Sequence, residues 1–137
     1  MERTITVPAC VDRLDEVFGL IDEAMTSTGT DAKTQNNMRI AVEEIFVNIA
    51  SYAYPSGEGE VTVSVTASAD RLVFVFADSG TPYDPLAKAD PDTTLAAEER
   101  DIGGLGIFMV KKMMDDVGYE YRDGQNILAM SKNLNAG

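Results

Sequence analysis

The stretch AVEEIFVNIASYAYP, Ala41 to Pro55, reads as a mostly apolar helix that carries a carboxylate and a carboxamide four residues apart, Glu44 and Asn48. On a wheel of about 100° per residue, Met38, Ala41, Val42, Ile45, Ile49 and Ala53 form one apolar stripe. Glu44 and Asn48 fall together on its shoulder, and Val47 falls on the far, solvent side. A shoulder opens toward a cleft beside the core. Carboxylate and amide oxygens are hard ligands, suited to Mg²⁺ or to a water held beside it. The spacing by itself also fits a solvated helix rim, so the rest of the chain has to decide.

Upstream, RTITVP alternates and stops at Pro8, as a short first strand does. From Ala9 to about Thr28, Val11, Leu14, Val17, Phe18, Ile21 and Met25 recur at helical spacing, and Gly29 is a natural stop. Asp31 can cap the helix that contains the opening stretch. Downstream, VTVSVTA alternates strictly, whereas RLVFVFADSG is apolar on both faces, which suits a central strand. Three prolines mark the segment from Thr81 to Ile102, a length that in compact domains serves as a lid or binding loop; a short helix near Asp92 to Arg100 fits within it. Gly103 to Asp116 reads as a third main helix, and Asp-Gly at 123–124 joins a last hairpin. Strands arriving as hairpins predict a single α+β domain over 1–137: a two-layer sandwich with a mainly antiparallel, mixed sheet and helices on one face.

Composition narrows the chemistry. The 137 residues carry 23 Asp and Glu against 11 Lys and Arg, a net charge of −12 with no basic cluster, which argues against nucleic acid and against an anionic membrane. A bound nucleotide would need a divalent metal and local backbone donors. There is no histidine, which removes His-based proton transfer and phosphotransfer; the single Cys10 can form neither an intrachain disulfide nor a cysteine zinc site. Neither a secretory signal nor a membrane-spanning run is visible, so a cytoplasmic location is expected.

Two further motifs carry chemistry. In ADSGTPYDP, Asp78 comes directly off an apolar strand, where a carboxylate facing a dry pocket can accept from an exocyclic amine, and Gly80 lets a flat ring approach the backbone. The same residues also make an ordinary turn. In DIGGLGIFMVKKMMDD, Gly103, Gly104 and Gly106 fall where the third helix begins, so uncovered N–H groups and the helix terminus can hold phosphate oxygens. The pattern is neither a P-loop nor a Rossmann turn.

In this order and on these elements, the three motifs resemble the GHKL ATP-binding fold of histidine-kinase catalytic domains and gyrase-type ATPases. Glu44 and Asn48 match its N box, DSG at Asp78 to Gly80 its first glycine box, and GGLG at Gly103 to Gly106 its second. The wording is most similar to the anti-sigma-factor serine kinases of bacterial partner switching. The resemblance implies that Asp78 binds the adenine amine with Gly80 supporting the ring, and that Asn48 coordinates Mg²⁺. It further implies that Gly103, Gly104 and Gly106, with the Leu105 and Ile107 backbone, contact the phosphates of ATP, and that Glu44 is the general base for a serine hydroxyl. The implied partners are an anti-anti-sigma (STAS-type) protein as substrate and a sigma factor or similar regulator as captive, with the chain as a homodimer. One departure stands out: many relatives carry histidine four residues after the Asn, and here that position is Tyr52. Two rival readings therefore remain beside the kinase, a nucleotide-sensing module that binds a partner without phosphotransfer and an ATP-hydrolysing module.

Overall fold

The computed structural model describes residues 1–55, 58–87 and 102–134. Strand β1 (Glu2–Pro8) leads through a 3-10 turn (Val11–Arg13) into α1 (Leu14–Ser27) and α2 (Ala32–Tyr52). There follow the β2 (Glu60–Ala67) and β3 (Arg71–Asp78) hairpin, a 3-10 turn (Pro85–Ala87), α3 (Ile102–Met113), and the β4 (Asp116–Arg122) and β5 (Gln125–Asn133) hairpin. The five strands lie in the order β1-β2-β3-β5-β4.

Every pairing is antiparallel, so the sheet expected as mainly antiparallel and mixed has no parallel pair among the described residues. The reason is in the last hairpin. The α3 crossover makes β4 run parallel to β3, as in a βαβ unit, but β5 inserts between them and pairs antiparallel with both.

Alternation decides which residues form the core. Val61, Val63, Val65 and Ala67 of β2 and Leu72, Phe74 and Phe76 of β3 are all buried, and the register puts them on one face with Leu128 and Met130 of β5. Helix α1 packs on β1 and β2, α2 packs on β3, and α2 is flanked by α1 and α3. Strand β3 is the middle strand, as its apolar run suggests. Its second face, Val73, Val75 and Ala77, is only half-buried.

Three local expectations change. Helix α1 starts at Leu14 rather than near Ala9, because Cys10 is extended and offers no side-chain cap; Val11, read as part of the stripe, is 52% exposed. Helix α2 buries a wider arc than a single stripe, since it has a helix on each side: Phe46 is fully buried and Val47, expected to face solvent, is half-buried. Burying a phenyl group of that size contributes on the order of 1.5–3 kcal/mol. The Asp31 cap is as expected, with its Oδ1 accepting from Thr34 N at 2.7 Å, worth about 1 kcal/mol. The Asp-Gly turn is also as expected, both residues having positive φ (54° and 79°).

Candidate active site

The inward alternation of β3 ends on Asp78. Leu72, Phe74 and Phe76 face the core, so the next inward position carries the carboxylate below the surface, and Asp78 is 4% exposed. A buried carboxylate is costly unless hydrogen-bonded. Its register partner on β5 is Asn126, itself 6% exposed. Asn126 Nδ2 donates to Asp78 Oδ1 at 2.9 Å, and Gly80 N donates to the same oxygen at 2.9 Å. Among the described residues both bonds end on Oδ1, which leaves Oδ2 as the second acceptor in the cleft that Asp78 lines.

That cleft is narrow, with a free volume of about 20 Å³. Helix α2 supplies one wall through Ile45, Asn48, Ile49 and Ala53; Phe76 and Asp78 come from β3; Asn126, Leu128 and Tyr119 come from the last hairpin; Tyr83 and Pro85 come from the loop after β3. A mostly apolar lining with few convergent polar groups is what a small-molecule site requires.

The loop after β3 is clamped to the end of α2. Thr81 N donates to Ala53 O at 2.7 Å, Ser79 N donates to the Tyr54 hydroxyl at 2.9 Å, and that hydroxyl donates to Glu60 O at 2.6 Å. Gly80 makes the approach possible: a Cβ there would stand 2.2 Å from Ala53 O and 2.6 Å from Ala53 C. The glycine expected to admit a ring thus first admits the helix backbone. Tyr52 stacks on Tyr83 with centroids 5.1 Å apart, one ring on the helix and one on the loop.

Glu44 and Asn48 are both half-buried, in keeping with a shoulder position, but they address different neighbours. Asn48 lines the cleft. Glu44, one turn earlier, lies against α3: a Cβ on Gly106 would stand 2.0 Å from Glu44 Oε2. Burial, with a smaller push from the neighbouring Glu43 carboxylate, raises the Glu44 pKa above its ordinary 4.5. Gly103, Gly104 and Leu105 fall in the first turn of α3, where N–H groups lack intrahelical partners. Ile107 lies past that turn and its side chain is in the core, 3% exposed. Of the lid expected over 81–102, residues 88–101, with the short helix expected inside it, lie outside the described residues.

No group of three or more His, Cys, Asp or Glu stands together as a metal site among the described residues. A single carboxamide oxygen from Asn48 suits Mg²⁺ only where phosphate and water supply the other ligands, which is how that ion is commonly held.

Sequence reading missed Asn126, Tyr119 and Tyr83. Asn126 donates to Asp78 and to Thr81 O (3.0 Å) and accepts from Tyr83 N (3.1 Å) and from the Tyr119 hydroxyl. The available signal was a polar residue at an inward position of an alternating strand, Asn126-x-Leu128-x-Met130. No helix among the described residues is long and apolar enough to cross a membrane.

A family model described as a histidine kinase-like ATPase domain matches residues 7–132. The serine-protein kinase RsbW of Listeria monocytogenes is 34% identical over 104 residues, which cover 72% of this chain and 66% of that protein. The serine-protein kinase RsbW of Bacillus cereus is 31% identical over 96 residues, covering 67% of this chain and 60% of that one. The matched part is thus 60–66% of these relatives' length. The crystal structure of the RsbU and RsbW domains of a Mycobacterium tuberculosis protein superposes with a TM-score of 0.67 at 14% identity, covering 99% of this chain and 34% of that one, a likeness of fold.

Proposed function

The chain belongs to the histidine kinase-like ATPase domain family, and from that premise we propose that it is an ATP- and Mg²⁺-dependent protein serine kinase of the anti-sigma type. The observation that carries this reading is the cleft with a buried, hydrogen-bonded Asp78 at one end and Asn48 on its helical wall. Asp78 Oδ2 accepts from the adenine amine, Asn48 offers its carboxamide oxygen to Mg²⁺, and the first turn of α3 at Gly103 to Leu105 offers N–H groups to the phosphates. When bound, Mg-ATP supplies the phosphoryl group and the charge neutralisation that its transfer requires.

Glu44 takes the serine proton. It is half-buried beside α3, and its raised pKa moves it toward the range in which a carboxylate is an effective base. The substrate is a serine of a small anti-anti-sigma (STAS-type) protein, and the captive is a sigma factor or similar regulator, held by a cytoplasmic homodimer. Both curated relatives bear the name serine-protein kinase, which supports the phosphotransfer half of this reading.

The alternative is a nucleotide-sensing module without phosphotransfer. Tyr52 favours it, because a stacked tyrosine holds the position where many relatives have an imidazole. Incubation with Mg-ATP and a candidate partner separates the two. Phosphoserine on the partner, lost by a factor of about 100 or more in Glu44→Gln while nucleotide binding persists, is the expected result. Nucleotide-dependent complex formation with no phosphoserine would replace the kinase with the module.

A further inference from the structure

We propose that Tyr119 is a second reader of the ligand's exocyclic amine, with Asn126 fixing the hydroxyl so that the floor of the cleft presents acceptors only. The inference rests on the nucleotide reading above and assigns what discriminates among purines.

The Asn126 amide has a single allowed orientation. Its Nδ2 faces Asp78 Oδ1 and the Thr81 carbonyl, both acceptors, so only an NH₂ fits there. Its Oδ1 faces the Tyr83 N–H, a donor, so only an oxygen fits there. Two backbone groups and a carboxylate thus fix the orientation, and a flipped amide would lose all three bonds. An amide oxygen has no proton to give, so in its contact with Oδ1 the Tyr119 hydroxyl has to donate. Its single proton is committed to Asn126, and the phenolic oxygen is left with acceptor capacity alone.

The phenol keeps that proton. Burial, the largest cause, raises the Tyr119 pKa; the Tyr83 N–H lowers it by less, and the smaller effects of Asp84, Asp78 and Tyr121 add to the rise. Tyr119 lines the same cleft as Asp78. An amine has two N–H groups and can satisfy Asp78 Oδ2 and the Tyr119 oxygen together. A carbonyl in its place would meet two acceptors and no donor, beside Phe76, Ile49 and Leu128, which offer it no hydrogen bond.

The test is calorimetric titration of the whole chain with Mg-ADP and with Mg-IDP, which carries a carbonyl where ADP carries the amine. Wild type is expected to prefer ADP by at least about 100-fold. Tyr119→Phe keeps the ring and removes the acceptor; ADP affinity should fall about tenfold with IDP unchanged, narrowing the preference about tenfold. A general loosening of the cleft would weaken both ligands together, so an unchanged ratio in Tyr119→Phe overturns the proposal. Should that variant not fold, wild type with N6-methyl-ADP serves instead. Its amine keeps one N–H and can satisfy only one of the two acceptors, so its affinity should fall about tenfold below that of ADP; an undiminished affinity overturns the proposal. Wild type binding ADP and IDP equally defeats this inference alone, whereas wild type binding neither defeats the nucleotide reading with it.

Discussion

Two regions beside α2 are built differently, the Asp78 end of the cleft and the place where Glu44 meets α3. At the Asp78 end, a buried carboxylate, a buried amide, a phenol and loop backbone groups satisfy one another, and the loop after β3 is bonded to the end of α2. At the Glu44 end, a carboxylate is held partly out of water beside a second carboxylate, and the missing side chain of Gly106 makes room for it. Polar groups at the first end offset the cost of burial; at the second end no hydrogen bond to the carboxylate is found among the described residues. On the kinase reading proposed above, the first is a mould that recognises one part of the ligand and the second holds the group poised to react with another.

Gly80→Ala tests the mould and should have the largest effect on the fold. The added methyl would stand 2.2 Å from a backbone carbonyl oxygen of Ala53, and neither the helix end nor the strand end can yield without breaking the Thr81 to Ala53 bond. Destabilisation of about 3 kcal/mol or more is expected in urea unfolding. A loss under about 1 kcal/mol would mean that the loop is not fixed to α2.

Gly106→Ala tests the poised end and should behave in the opposite way. Its methyl would meet the far end of a flexible side chain, 2.0 Å from Glu44 Oε2, and Glu44 can swing aside. Alanine is also the better helix former by about 1 kcal/mol. Stability should therefore stay within about 1 kcal/mol of wild type, while phosphotransfer to a partner falls about 100-fold because the base has been moved. Unfolding as severe as that of Gly80→Ala would erase the contrast between the two ends.

The fold was legible because it is written in short-range chemistry: alternation in β2 and β3, the Asp31 cap, the Asp-Gly turn and the apolar stripe of α2. The site was legible only in part. Glu44, Asn48 and Asp78 declare themselves by motif, each on an element whose period is plain. Asn126 and Tyr119 do not, because their importance comes from a register pairing that sets residue 126 beside residue 78, and a sequence does not display its β-pairing. Gly80 and Gly106 were visible as places where a side chain is missing. What fills the space, the Ala53 carbonyl in one case and the Glu44 carboxylate in the other, is a tertiary fact. The single stripe assigned to α2 failed at Phe46 for a similar reason, since the helix on its second side comes from elsewhere in the chain.

The smallest effect, and the most specific, is the pH dependence of Glu44→Gln. The Glu44 pKa in the folded chain lies above the ordinary 4.5, first through burial and then through Glu43. Below 4.5 the carboxyl is neutral in both folded and unfolded chains and carries no penalty. As pH rises through the window that starts there and ends at the raised value, the unfolded chain ionises first and wild type loses stability; above the window the loss is complete. Glutamine does not titrate and escapes it. The variant should therefore be the more stable protein near pH 7, with the advantage closing as pH falls below 4.5. Paired urea midpoints across that range isolate this one group, because every other carboxylate is common to both proteins. Glu43→Gln should show a weaker effect of the same sign, since it removes only the lesser cause. An advantage that is flat with pH, or one that favours wild type at neutrality, would mean that the Glu44 carboxylate is as well solvated as Asp78 is well bonded, and the poised end would not be poised.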